Sequence, residues 1–245
     1  MIRTGFACLH LLLFNLVLLP PTHAQPQAGP YPPDNGALKK AILVYTRSKS
    51  AEASLYNGML YTGYDLQSQG HPFFLSDTPI LGSIIYDSTC FPDIPLSYDV
   101  ARDIVVIPDK GGVVRIQLNS DKLQYFTIGE HQFIHLAASS GLNAPAEGYY
   151  EVLHSGKATA LVRYRKVLQG SGKAEENAHY QQYKSWYLQL NGRYYPVRNR
   201  RDLLNIPDPH NNALKDYLKK DHVSFKKDPE HALIKAAEFY SQAIK

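Results

Sequence analysis

Short runs of β-type residues follow one another through the middle of this chain, and most of them are separated by only a few residues. Runs rich in branched and aromatic side chains lie at 83–87, 104–107, 113–118, 123–128 and 132–136. The segments between them include Asn119-Ser120-Asp121 and Gly129-Glu130-His131, which contain turn-forming residues. A parallel pair of strands needs a connection of about a dozen residues or more, so these neighbours are expected to pair antiparallel.

The same pattern continues in the second half of the chain. Runs at 148–154 and 158–168 are joined by Ser155-Gly156-Lys157. Asn191-Gly192 lies between runs at 184–190 and 193–197, and this pair is typical of a two-residue hairpin turn because both residues tolerate positive φ. Pro196 cannot donate a ladder hydrogen bond, which places the returning strand at a sheet edge or near its own end.

Helical spacing replaces the β pattern in the tail, residues 209–245. Leu233, Ala236 and Tyr240 recur at intervals of three and four residues, and Asp228 followed by Pro229 is typical of a helix start. The predicted fold is therefore mostly β or α+β. It is an antiparallel β meander, forming a curved sheet or a sandwich, with two short C-terminal helices.

The amino-terminal residues have the three zones of a secretory signal. Arg3 precedes an apolar run from Phe6 to Leu19, and Thr22-His23-Ala24 offers a cleavage point before Gln25. The apolar run is about 14 residues long, whereas a helix that crosses a membrane needs about 20. A removable signal peptide is therefore expected, with no transmembrane span after cleavage.

These features predict the domain organisation. Residues 1–24 are expected to be the signal peptide, 25–36 an extended leader rich in Pro and Gly, and 37–245 a single β-rich domain. The domain is expected to begin with a strand at 41–45 and a short helix at 49–56. The predicted location is the periplasm or the outside of the cell.

The cysteine content and the net charge make an intrachain disulfide and nucleic-acid binding unexpected. Cys8 lies in the predicted signal peptide, so Cys90 is the only cysteine left in the mature chain and no disulfide can form within it. A chain of this length can bury a core without cross-links. Loss of residues 1–24 removes one Arg and lowers the formal net charge from +4 to +3, and a chain so near neutrality is not expected to bind nucleic acid.

The chain resembles a family of uncharacterised exported proteins that recur in Bacteroidota. The resemblance covers most of the mature chain and rests on several short motifs: Leu55-Tyr56-Asn57-Gly58, Gly70-His71-Pro72-Phe73-Phe74, Pro95-Leu96-Ser97-Tyr98-Asp99, Gly148-Tyr149-Tyr150-Glu151-Val152-Leu153 and Asn191-Gly192-Arg193-Tyr194-Tyr195. It implies an envelope or secreted location. It implies no activity, because none is assigned to the family.

No complete motif for catalysis, metal binding or cofactor binding is present. Glu130, His131 and His135 have the residue types of a zinc-protease motif in the wrong order. On a strand, the two histidines would lie about 13 Å apart, too far to share one ion. Gly170-Ser171-Gly172-Lys173 lacks the first glycine and the Ser or Thr of a phosphate-binding loop. We therefore assign no catalytic residue, no metal ligand and no cofactor.

Tyrosine is the one residue type in clear excess, with 18 among 245 residues. Its ring and hydroxyl suit half-buried sheet faces and also contact surfaces for partners. Tyr149-Tyr150 and Tyr194-Tyr195 are adjacent pairs, so on a strand the two rings of each pair must point to opposite faces. Some tyrosines are therefore expected on the outer face of the sheet. Covering the sheet and packing under the helices is the simpler explanation for the others.

Two hypotheses about function remain open. The first is a non-catalytic binding module of the envelope that recognises a protein, glycan or peptide partner. Its candidate binding residues are His71, Tyr98, Asp99, Tyr194 and Tyr195. The second is an exported hydrolase whose site is assembled near His71 and Asp99, because these segments combine His, Asp and Tyr.

Overall fold

The computed structural model describes residues 54–63, 69–138, 144–170 and 178–243. The predicted signal peptide, the leader and the predicted strand at 41–45 lie outside these residues. Of the predicted helix at 49–56, only 54–56 are described, and Ser54 and Leu55 are helical.

Eleven strands, three α-helices and one 3-10 helix (Ser120–Lys122) lie wholly within the described part of the chain. The strands are β1 (Met59–Leu60), β2 (Ile80–Tyr86), β3 (Thr89–Asp99), β4 (Ile104–Pro108), β5 (Arg115–Gln117), β6 (Leu123–Ile128), β7 (His131–Leu136), β8 (Gly148–His154), β9 (Ala158–Gln169), β10 (His179–Leu190) and β11 (Arg193–Val197). The helices are α1 (Arg200–Leu204), α2 (Asn211–Lys220) and α3 (Pro229–Ala243).

Within the described residues the strands form one antiparallel sheet in the order β1-β5-β4-β3-β2-β6-β7-β8-β9-β10-β11. The predicted antiparallel, mostly β fold with C-terminal helices is confirmed. The order is not one continuous meander, because β6 returns to pair with β2 instead of following β5. Two meanders, β2–β5 and β6–β11, are thereby joined along the β2–β6 edge.

The strand β3 carries two prolines and is absent from the strands that the sequence pattern predicts. Its pairing with β2 shifts register between Gly82 and Ile84, opposite the segment that holds Pro92 and Asp93. Asp93 has a φ of +53°, which is unusual for a residue other than glycine. A bulge of this kind lets a strand accommodate a residue without an N–H group.

The sheet curls until β3 faces β9. In strand order, β3 and β9 are separated by four strands, which would place them about 24 Å apart in a flat sheet. Instead, Nη2 of Arg163 on β9 lies 3.0 Å from Oδ2 of Asp103, in the turn after β3. Nζ of Lys166, also on β9, donates to the backbone oxygen of Phe73 beside β3 at 2.6 Å.

The concave face of the curled sheet is filled with aromatic side chains. Phe126 and Phe133 stack at 4.7 Å between ring centroids, and the rings of Tyr98 and Tyr149 pack edge-on against Phe126. We call this group the inner core; its large members are Phe74, Tyr86, Tyr98, Phe126, Phe133, Tyr149 and Tyr164. Side chains therefore occupy the space that the curl encloses.

The helices pack on the same face of the sheet, next to the inner core. Ala158 and Ala160 of β9 meet Ala236 and Ala237 of α3, and these small side chains let the helix approach the sheet closely. Helix α3 begins as predicted: the backbone N–H of His231 donates to the Asp228 carboxylate at 2.9 Å. We call this second group the helix core.

One short helix was not among the predicted pair. Helix α1 has five residues and begins before the predicted tail at 209. The side chain of Asn199 caps it by accepting the N–H groups of Arg201 and Asp202. Five residues are too few for a helical period to be read from the sequence.

The hairpin between β10 and β11 is confirmed. Asn191 and Gly192 have φ angles of +51° and +74°, as the two central residues of this turn require. Strand β11 ends the sheet order, so Pro196 lies on an edge strand as predicted.

Candidate functional site

Residues 69–74, here called the strap, run from β10 to β3 and connect the two sides of the curled sheet. Gln69 bridges to His179 at the start of β10. The backbone N–H of Phe74 donates to the oxygen of Tyr98 at 2.8 Å, and that of Val100 donates to the oxygen of Pro72 at 3.0 Å. The structure therefore places the His71 segment directly beside the Tyr98–Asp99 segment, the two segments in which the sequence predicts a site.

His71 lies partly buried in the strap. Its Nδ1 atom is buried and has no hydrogen-bond partner among the described residues. Nζ of Lys166 donates to the backbone oxygen of His71 at 3.0 Å. Burial, together with this nearby ammonium group, lowers the pKa of His71 below its usual value, so the neutral imidazole is favoured.

Tyr98 and Asp99 are fully buried, each with 0 % of its surface exposed. The Tyr98 hydroxyl donates to Asp103 at 2.6 Å, and burial raises the Tyr98 pKa well above its usual value. The Asp99 carboxylate accepts the Tyr61 hydroxyl at 2.9 Å and the N–H groups of Ala101 and Arg102.

These contacts make Asp99 a turn-stabilising residue between β3 and β4. In the described part of the chain, no hydrogen bond joins the His71 imidazole to the Asp99 carboxylate. The binding or catalytic function predicted for these residues stays a prediction.

A second acid–base cluster was not identified from the sequence. Glu151 on β8 is 5 % exposed and points into the inner core. The Tyr164 hydroxyl donates to its Oε2 at 2.5 Å, and Nδ1 of His131 lies 2.5 Å from its Oε1. Burial and the bond to Glu151 raise the Tyr164 pKa. Because a carboxylate only accepts, the His131 proton facing it is on Nδ1.

The predicted tyrosine pairs do point to opposite faces. Tyr149 belongs to the inner core, whereas Tyr150 lies in a cluster on the outer face with Tyr125, Ile134 and Leu161. Tyr194 packs against that outer cluster and Tyr195 against the helix core. Burial raises the pKa of Tyr194.

Tyr195 also lines a shallow pocket at the sheet edge. The pocket has a volume of about 240 Å³ and lies between β11 and α1. Its other lining residues are Pro196, Arg198, Asp202, Asn205 and Ile206. One of the five predicted binding residues therefore borders a concave surface.

The outward positions of the last three strands form a second candidate surface, which we call the tyrosine face. It comprises Arg163, Arg165, Val167, Gln181, Tyr183, Ser185, Tyr187, Gln189, Tyr194 and Pro196, which share a face because the β9–β10–β11 register has no shift. Thr159 and Leu161 point to the same face but are buried. Tyr183 is 42 % exposed. The Arg165 guanidinium lies 5.6 Å from its ring centroid, and the Gln169 amide donates to its hydroxyl at 3.1 Å.

The charged residues of β9, β10 and β11 are all cationic. The three strands contain no Asp or Glu and five cationic residues: Arg163, Arg165, Lys166, Lys184 and Arg193. Arg163 is paired with Asp103, and Lys184 with Glu230. Arg165 extends over the tyrosine face, so this surface can attract an anionic group.

Two further sequence expectations fall in the described residues. His131 and His135 both lie on β7, and no group of three or more metal-ligating side chains occurs in the ranges that the structure describes. Cys90 on β3 is a free thiol whose pKa is raised by burial, which lowers its reactivity.

No helix in the described ranges has both the length and the apolar character needed to cross a membrane. Comparisons with protein family models, with curated proteins and with solved structures find no match to this chain.

Proposed function

We propose that this chain is an exported, non-catalytic binding module of the cell envelope, and that its tyrosine face holds a hydroxyl-rich glycan chain. The main support is the character of the outward positions on β10. An antiparallel sheet covered on one face normally presents charged and polar side chains on the other. Here the outward positions alternate amide, hydroxyl and tyrosine side chains: Gln181, Tyr183, Ser185, Tyr187 and Gln189.

This surface has the chemistry and the length that a glycan needs. Tyrosine rings offer flat apolar surfaces to the C–H faces of sugar rings, while amides and hydroxyls can both donate to and accept from sugar hydroxyls. Tyr183 and Tyr187 are separated by about 13 Å along the strand, and Gln181 and Gln189 by about 26 Å. Several sugar units fit along that distance.

The rings are held in place before any ligand arrives. Tyr183 is fixed by Arg165 and Gln169, and the Tyr187 ring packs edge-on against Tyr150 at 5.6 Å between centroids. Fixed rings lose little conformational entropy on binding, which favours affinity. The absence of acidic residues from β9, β10 and β11 further favours glycans that carry carboxylate, sulfate or phosphate groups.

The experiment is a screen of the purified protein against neutral and acidic oligosaccharides of several units, followed by calorimetry on any hit. We expect Tyr183→Ala and Tyr187→Ala each to weaken binding about tenfold, which is about 1.4 kcal/mol. Tyr56→Ala is the matched control, because Tyr56 is a partly exposed tyrosine away from this face. Its affinity should equal that of the unaltered protein.

Two outcomes would refute the proposal. One is a screen in which peptides or proteins bind and no glycan does. The other is glycan binding that survives loss of both Tyr183 and Tyr187. Arg165→Gln adds a test of charge: it should weaken the binding of acidic glycans and leave neutral ones unaffected.

One observation favours the second candidate function, an exported hydrolase, at a different place from His71 and Asp99. The buried Glu151 carboxylate accepts from Nδ1 of His131, so Nε2 is the ring nitrogen that can take a proton. A histidine oriented in this way by a carboxylate has the arrangement of a general base. An unbiased hydrolase screen tests this: turnover that His131→Ala abolishes, in a protein that still folds, would support the hydrolase over the binding module.

A further inference from the structure

The C-terminal segment 198–227, here called the basic lobe, holds the net charge of the chain. It has eight Lys and Arg residues and four Asp residues, a formal charge of +4, which equals the charge of all 245 residues. The remaining residues therefore sum to zero. The eight cations are Arg198, Arg200, Arg201, Lys215, Lys219, Lys220, Lys226 and Lys227.

All eight side chains are exposed, and none is in an ion pair with another described residue. Cations elsewhere in the chain do pair, as Lys184 does with Glu230 at 2.6 Å and Lys235 with Glu238 at 2.7 Å. The lobe's own acids are partly engaged: Asp202 accepts the N–H of Arg198, and Asp208 contacts His210. Unpaired like charges on one lobe repel one another, so an anionic partner would relieve a cost already present in the free protein.

One of these cations borders the pocket between β11 and α1. Arg198 lines the cavity of about 240 Å³ together with Tyr195, Asn205 and Asp202, and the Asp202 carboxylate is engaged there by the backbone N–H of Arg198 and the amide of Asn199. A guanidinium presents two parallel N–H groups to a phosphate, and the Asn205 amide can add a donor. The pocket is large enough for a phosphate with the first atoms of its substituent.

We propose that the basic lobe docks on an anionic lipid surface, with Arg198 taking one headgroup phosphate in this pocket. Five of the eight cations are lysines, whose compact charge suits diffuse attraction to many phosphates better than directed recognition. No large apolar or aromatic side chain of the lobe is among the exposed ones, so it has no platform for stacking nucleic-acid bases. The docking is electrostatic and lies on different residues from the tyrosine face.

The test is co-sedimentation of the purified protein with vesicles. We expect binding to phosphatidylglycerol mixed with phosphatidylcholine and no binding to phosphatidylcholine alone. Raising the salt from about 0.05 M to about 0.5 M should release the protein, because screening acts over only a few ångströms at high salt. Equal binding to both vesicle types, or binding that salt does not weaken, would overturn the proposal.

Matched charge variants locate the surface. Lys215→Gln, Lys219→Gln and Lys227→Gln together should weaken vesicle binding at least about tenfold, since each cation near an anionic surface adds to the attraction. The control removes three exposed lysines elsewhere, with Lys110→Gln, Lys122→Gln and Lys157→Gln. If the control loses as much affinity as the lobe variant, the lobe is not the docking surface.

Three further measurements complete the test. Arg198→Gln should weaken vesicle binding more than Arg201→Gln does, and equal effects would remove the pocket from the proposal. Tighter binding to duplex DNA than to the anionic vesicles at equal salt would assign the lobe to nucleic acid and refute the lipid surface. Glycan binding by the lobe variants should be unchanged, which separates this proposal from that of the tyrosine face.

Discussion

At the scale of single residues, Glu151 departs most from its surroundings. It is a carboxylate placed among the aromatic rings of the inner core, and both of its oxygens are bonded, one to Tyr164 and one to His131. A buried charge is tolerated only when such partners are present. The sequence does not mark Glu151 as inward-facing, because β8 carries apolar side chains on both faces, and it does not reveal its partners, which come from β7 and β9.

We predict that Glu151→Ala lowers the free energy of unfolding by about 3 kcal/mol, because it leaves a buried hydroxyl and an imidazole without an acceptor and opens a cavity. Tyr164→Phe should cost about 1–2 kcal/mol, since only the hydroxyl is lost. Urea denaturation measures both. Glu147→Ala is the control, because that side chain is 55 % exposed and should change stability by less than about 0.5 kcal/mol. A loss from Glu151→Ala no larger than the control's would mean that the cluster contributes nothing.

At the scale of elements, local patterns predict the strands whose residues alternate cleanly. The runs 123–128, 148–154 and 193–197 coincide with β6, β8 and β11. Strand β3 is missed because Pro92 and Pro95 interrupt the pattern, and only its pairing with β2 across a bulge makes it extended. The pairing of β6 with β2 also cannot be predicted from local sequence patterns. Turn residues indicate where a strand ends, but they do not specify its pairing partner when that partner is distant in sequence.

The candidate sites, like the strands, could be predicted from the sequence only in part. The hydrolase hypothesis brought His71 together with Tyr98 and Asp99, and the strap joins these segments through backbone bonds between residues 72–74 and 98–100. The burial of Tyr98 and Asp99 depends on the curl of the whole sheet, which alternation within one strand cannot predict. The tyrosine face was foreseen only as a consequence of adjacent tyrosines; its amide and hydroxyl neighbours follow from the β9–β10 register.

Lys166 offers a test of how the strap is held. Its ammonium donates to the backbone oxygens of His71 and Phe73, and burial lowers its pKa. Lys166→Met keeps most of the apolar stem but removes both bonds, so we predict faster hydrogen exchange at the N–H groups of Phe74 and Val100, with the exchange of β6 and β8 unchanged. Lys184→Met, which removes a bond to Glu230 instead, is the control. Unchanged exchange in the Lys166 variant would show that the strap is held by its backbone pairing alone.

At the scale of the whole molecule, the two proposed binding surfaces lie on different residues from the two cores. The inner core and the helix core occupy the concave face, and the partly buried side chains of Leu153 and Trp186 pack against both. The outward face of β9–β11 and the basic lobe are the surfaces that we propose bind partners. A module of this design can contact a glycan and an anionic surface at the same time, because the residues proposed for each do not overlap.

The side chains that pack against both cores predict how the molecule unfolds. Trp186 is the only tryptophan in the chain, it packs against both cores, and its ring meets Phe225 edge-on at 6.0 Å between centroids. Cores that share side chains should lose their packing together, so we predict one transition in urea, with the same midpoint by Trp186 fluorescence, by the near-ultraviolet dichroism of the tyrosines and by the far-ultraviolet dichroism of the helices.

Phe225→Ala sharpens this prediction, because it removes a large ring from the helix core and should lower all three midpoints by the same amount, at a cost of about 3–5 kcal/mol. Arg165→Gln on the outer face is the control and should leave them in place. If the helical signal is lost at lower urea than the tyrosine signal, the helix core is a separate folding unit and Trp186 reports only its docking onto the sheet. Coincident midpoints would instead mean that the basic lobe is held in position by the same cooperative core that supports the tyrosine face.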